Sequence, residues 1–191
     1  MNYTKTIEKI LSKMKEDKLD ANADLIEVAF GDLKYESEDY DENLLHLFVD
    51  RLYDEDKCLI AIRTLLHAGL NPNHLDTCEY NFIQTAIDTG YSEKFVYACI
   101  NEALKYGLDV NHKEEDGDTI IHTAIRADDY KDNFLHILEL LVNNGYDANL
   151  KNKDGKTIDD LVFTSSKYTR GAKRQLVIGM DKYLTVTNKR R

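Results

Sequence analysis

LLHAGLNPN (65–73), ALKYGLDVN (103–111) and LLVNNGYDAN (140–149) follow one pattern. Each closes an amphipathic stretch with a glycine and sets an asparagine four residues later: Gly69 and Asn73, Gly107 and Asn111, Gly145 and Asn149. The pairs recur every 38 residues, the mark of a chain built from stacked copies of one supersecondary unit. Such an array offers an extended surface, so binding is the first expectation.

Shifting the chain on itself by this interval aligns its apolar positions. Leu44-Leu45-His46 falls on Phe82-Ile83-Gln84 and Ile120-Ile121-His122, and Phe48-Val49 on Ala86-Ile87 and Ala124-Ile125. Apolar residues at i, i+1, i+4 and i+5 form one face of a short helix. A second helix follows in each copy, with matched positions Leu59/Tyr97/Leu135, Ile62/Ile100/Leu138 and Leu66/Leu104/Val142. A glycine suited to the left-handed conformation ends each pair. Asp116-Gly117 and Asp154-Gly155 favour tight reversals of the β-hairpin kind in the connections. The expected fold is an all-α solenoid of about five helix pairs joined by hairpin-like fingers. It forms a single domain over 1–191: internal copies at 40–77, 78–115 and 116–153, and less regular capping copies at 2–39 and 154–191.

Composition agrees with a folded, helical chain: 42% hydrophobic and 31% charged residues, with 1 Pro and 9 Gly. No secretory-type apolar segment follows Met1, and no run approaches the roughly 20 apolar residues of a membrane span. Three cysteines, Cys58, Cys78 and Cys99, lack metal or redox spacing, and their odd number fits a reducing compartment. A cytoplasmic protein is expected, and the abundance of Lys, Asn, Asp, Ile and Tyr fits a bacterial source. Residues 1–163 hold 34 Asp/Glu against 17 Lys/Arg, whereas residues 164–191 hold one acid against eight bases. An acidic body is poorly suited to nucleic acid, whose phosphates require Lys/Arg contacts.

The copy at 116–153, reading DGDTIIHTAI (116–125) and then LELLVNNGYDAN (138–149), resembles the ankyrin repeat family pattern D-G-x-T-P-L-H-x-A followed by L-L-x-x-G-A-D-V-N. DGKTIDDLV (154–162) resembles the closing form of that motif. The chain departs from the family in three ways. The period is 38 residues against about 33 in the family. The extra residues fall between the two helices of each pair, in RLYDEDKC (51–58), TGYSEKFV (89–96) and ADDYKDNF (127–134). Leu44, Phe82, Ile120 and Ile158 replace the family's proline, and the segments 40–43 and 78–81 lack Asp-Gly, so those two fingers are expected to be shorter or differently bent.

The resemblance implies a partner-binding concave face made of first helices and finger tips. Its register assigns Leu47, Asp50, Arg51, Thr85, Asp88, Thr89, Thr123 and Arg126 to the outward helix positions. The tips contribute His74, Leu75, Asp76, Lys113, Glu114 and Lys151. His46 and His122 take the position whose imidazole ties neighbouring repeats in the family. A second candidate is an acidic-aromatic ridge of Tyr53, Asp54, Tyr91, Glu93, Asp129 and Tyr130, where tyrosines supply contact area and carboxylates suit a basic partner.

Catalytic and metal motifs are absent from the sequence: there is no phosphate-cradling loop, nucleophile elbow or His-Glu-x-x-His helix. Cys58 and Cys99 read as buried small hydrophobes. No cofactor is expected. The reading is a monomeric, non-catalytic protein–protein interaction module whose partner carries a basic surface. The competing readings are an anion or nucleic-acid binder using the basic residues 167–191, and an acidic decoy for a nucleic-acid-binding protein.

Overall fold

The computed structural model describes residues 41–127, 134–164 and 180. The capping copy at 2–39, Asp129, Tyr130 and nearly all of the basic C-terminal stretch lie outside the described residues. Seven α-helices run through them: α1 Leu44–Arg51, α2 Glu55–His67, α3 Phe82–Asp88, α4 Glu93–Ala103, α5 Ile120–Arg126, α6 Phe134–Asn143 and α7 Ile158–Thr164. A 3-10 turn at Leu104–Tyr106 extends α4. Among the described residues there is no strand. Helices α1, α3, α5 and α7 pack in one row, α2, α4 and α6 in a second, and each pair also packs internally.

Side-chain caps start α1, α2, α3, α4 and α7. Asn43 Oδ1 accepts from the Leu45 and His46 amides at 2.9 and 3.3 Å, and Asn81 Oδ1 accepts from Ile83 and Gln84 at 3.0 and 3.1 Å. Thr157 and Asp160 exchange bonds in the same way at the start of α7. Asp54 and Ser92 cap α2 and α4. These side chains satisfy amides that the first helical turn leaves without partners.

The second-row helices end alike. The Leu70, Leu108 and Tyr146 amides reach back to the carbonyls of Leu65, Ala103 and Leu141 at 3.1, 3.2 and 3.0 Å. Gly69, Gly107 and Gly145 supply the positive φ that this closure requires, at 99°, 82° and 94°.

The two rows bury different amounts of surface. In α2 the buried residues are Cys58, Ala61, Ile62, Leu65 and Leu66, a single stripe at helical spacing. Ile62, Ile100, Leu138, Leu66 and Val142 lie in it as expected, but it begins at Cys58 and not at Leu59. Tyr97 is consequently 38% exposed, and Leu59 and Leu135 are only partly buried at its margin. In the first row α1, α3 and α5 are buried nearly all round: every residue of α1 from Leu44 to Val49 is inside.

Two further expectations are corrected. The extra residues of the long period do not all fall between the helices in the first two pairs: α2 begins at Glu55 and α4 at Glu93, so part of each insert is helix. The turn lacking Asp-Gly bends like those that have it. Asp76, Glu114 and Asn152 amides bond to Tyr80, Asp118 and Lys156 carbonyls, each at 3.0 Å, and Glu79 adopts φ 60° where Gly117 and Gly155 adopt 78° and 73°.

Candidate protein-binding face

Hydrogen bonds between successive pairs hold the first-row helices and the turns in register. His46 Nε2 lies 3.0 Å from the Tyr80 carbonyl, and its Nδ1 3.0 Å from Asn43 Oδ1. Gln84, at the matching position in the next pair, donates to the Asp118 carbonyl at 3.3 Å. His122 Nδ1 accepts from the Thr119 amide at 3.3 Å, which leaves the proton of a neutral ring on Nε2. Thr119 Oγ1 joins His122 to the buried Tyr146 hydroxyl at 2.7 and 3.0 Å. Burial lowers the pKa of His46 to about 4 against the opposing pull of the Tyr80 carbonyl. His122 is likewise lowered to about 4 by burial, opposed by the Lys156 backbone. His46 thus links successive pairs, His122 is tied to Thr119 within its own, and both stay neutral near pH 7.

The turn tips are linked too. His74 Nε2 donates to the Asp41 carbonyl, and His112 Nε2 to the Glu79 carbonyl at 2.7 Å. Lys113 Nζ donates to the Lys151 carbonyl at 2.6 Å. Glu115 and Lys153 amides reach the Cys78 and Asp116 carbonyls of the preceding turn at 3.4 and 2.9 Å.

The sequence-derived partner residues divide on this scaffold. Asp50, Arg51, Asp88, Arg126, Lys113 and Lys151 are exposed, while Thr85, Thr89, His74, Leu75 and Asp76 are half-buried. Leu47 is only 1% exposed, which overturns its outward assignment. From Leu44 to Val49 every side of α1 is covered, so its first residue exposed to water is Asp50. Thr123 is also buried, its hydroxyl donating to the Thr119 carbonyl at 3.2 Å. Glu114 turns inward, accepting from the Asp116 and Asp118 amides at 2.9 and 2.8 Å. Asp76 does the same for Cys78 and Tyr80, both at 2.9 Å. These two carboxylates build their turns. Their fixed place two and four residues before the amides they accept from is the signal that could have revealed this role.

The acidic-aromatic ridge is not continuous. Tyr53 is 70% exposed and Asp54 caps α2. Tyr91 is buried: its hydroxyl donates to the Leu52 carbonyl and its ring stacks on Phe95 with centroids 4.3 Å apart. Glu93 faces His136 across 3.3 Å beside an open groove between α4 and α6. Glu55, missed in the sequence, accepts from the Ser92 amide and hydroxyl at 2.8 and 2.7 Å, joining the two inserts.

Other chemistry is sparse. Burial pushes the Cys58 thiol up to about 12 and raises Cys99 as well, disfavouring the thiolate that nucleophilic chemistry needs. Among the described residues no group of three or more His, Cys, Asp or Glu is placed to hold a metal ion, and no helix is long and apolar enough to cross a membrane.

Two rows of helices, linked pair to pair by hydrogen bonds, define a helical repeat scaffold. The ankyrin repeat family model matches residues 116–153, the segment from Asp116 through α5 and α6 to Lys153. The resemblance read in the sequence thus holds there: this segment is an ankyrin repeat. Comparison with curated proteins finds no match for the chain.

Proposed function

We propose that this chain is a non-catalytic protein–protein interaction module that binds a protein partner on the face formed by the first-row helices and the turn tips. Ankyrin repeats generally serve as protein–protein interaction modules. The observation that carries the reading is the contrast within matched positions. The buried residues of α1, α3 and α5 are nearly all apolar, whereas their first exposed positions, Asp50, Asp88 and Arg126, change sign. Core positions must fit the same neighbour each time, while surface positions are free to suit a partner. On this reading the array has five copies of 38 residues, the tight turns act as its fingers, and the chain works as a cytoplasmic monomer.

The test is affinity capture from lysate of the source organism with wild type and an Asp50→Arg/Asp88→Arg double variant. A protein retained by wild type and lost with the folded variant supports the reading. Retention of the same proteins by both sinks the face assignment.

A further inference from the structure

The exposed edge is electrically lopsided. Along α1, α3 and the first two tips stand Asp41, Glu42, Asp50, Asp76, Glu79 and Asp88, and within 41–51 and 71–91 Arg51 is the one lysine or arginine. Its guanidinium Nε lies 3.6 Å from Asp50, with both side chains about half exposed, a geometry that neutralises little. At the α5 end the charges are interleaved. Arg126 meets Asp118 at 2.9 Å, and Lys113, Lys151 and Lys153 alternate with Asp116 and Asp154. Burial raises the Glu42 carboxyl, and Asp50 and Asp76 raise it further against Arg51, as expected where negative charge is crowded and under-compensated. Burial raises the Asp118 carboxyl as well, but there Asn152 and Arg126 both oppose the rise.

We propose that the partner engages this face through a basic segment seated over α1, α3 and the tips at Asp41 and Glu79, with the mixed-charge α5 end contributing orientation and little affinity. The inference rests on the protein-binding reading and specifies its chemistry. A cationic segment of a protein matches the field; the phosphates of a nucleic acid would be repelled by it. Such a segment would also reach its site faster at low salt, since exposed charges steer encounter and are screened by ions.

The probe is the octapeptide RGRGRGRG, titrated calorimetrically at 0.05 and 0.15 M salt into the full chain and two variants of equal net charge. Asp50→Lys/Asp88→Lys should weaken binding at least tenfold, and Asp116→Lys/Asp154→Lys less than threefold. Helix content by circular dichroism checks both, with Asp50→Asn/Asp88→Asn replacing the first if it misfolds. Equal weakening by both variants would mean diffuse attraction to an acidic body and would overturn the inference, as would absence of peptide binding at 0.15 M salt. Self-association of the wild-type chain in sedimentation at 0.05 M salt would give the site to a second copy instead, with the same consequence. If the peptide fails while a captured protein still depends on Asp50 and Asp88, the basic-segment inference falls and the binding face stands.

Discussion

His46 and His122 sit inside the protein as neutral imidazoles, both with pKa values lowered to about 4 by burial. Unfolded, each takes up a proton near 6.5, so the unfolded chain binds more protons between these values. The stability they confer is complete above pH 6.5 and drains away as pH falls toward 4, by roughly 2–3 kcal/mol for each histidine. Urea midpoints should drop across that window. A His46→Gln/His122→Gln variant, which borrows the residue found at Gln84, should lose much less. Glu42 and Asp118, whose pKa values are raised, act with the opposite sign, favouring the fold as they protonate. The comparison with the double variant separates the two effects. The cysteines differ by position: Cys78 is exposed at a turn tip, while Cys58 and Cys99 are buried. Alkylation of the native protein should modify Cys78 within minutes and the other two only in denaturant, read by mass spectrometry.

Among the elements, the turns carry the most local strain. Glu79 holds φ 60° and Asp41 φ 51°, a region that costs a side-chain-bearing residue about 1 kcal/mol or more. Glu79→Gly should therefore raise stability by up to about 1 kcal/mol, less the entropy that glycine adds to the unfolded chain. The two glycines should not respond equally to alanine. At Gly117 a Cβ would stand 2.9 Å from the Lys153 amide nitrogen and 3.2 Å from Asn152 backbone atoms, whereas at Gly155 nothing lies within 4 Å. Gly155→Ala should cost about 1 kcal/mol from φ alone and Gly117→Ala about 2 kcal/mol or more, measured by denaturant unfolding. These contrasts mark what was legible in the sequence. Helix ends and apolar stripes depend on residues close along the chain, so Gly69, Gly107 and Gly145 and the first-row helices could be read directly. Leu47 could not, because its burial depends on what surrounds α1. Tyr91 could not, because its hydroxyl found a carbonyl 39 residues away. Glu79 bends like a glycine because its neighbours bond around it, which no residue preference announces.

For the whole molecule, the division of labour between interior and edge makes a further prediction. Asp50 and Asp88 lie outside the core and make no hydrogen bond that holds one pair to the next, so their reversal to Arg should leave helix content unchanged and shift stability by less than about 0.5 kcal/mol each. Asn111→Ala, by contrast, removes the amide that donates to the Gly145 carbonyl at 3.1 Å and the oxygen that accepts from Asp147 at 2.8 Å. Although Asn111 is only half-buried, that change should cost about 1–2 kcal/mol, read as a lower urea midpoint with the binding face untouched. Binding variants and folding variants should thus separate along the two sides of the structure.

Helix α4 receives help at both ends from the pair before it. Glu55 accepts at its start through Ser92, and Asn73 donates to the Gly107 carbonyl at 2.8 Å and accepts from the Asp109 amide at 2.7 Å at its finish. Asn111 repeats the closing half of this arrangement for the next pair. For these helix-end caps the dependence has a direction: the capping side chain belongs to the preceding pair. A ribosome delivers the chain in that same direction, amino terminus first. As they emerge, α4 and the closing end of α6 therefore meet a neighbour that already holds out these caps, so for them synthesis order and structural order coincide.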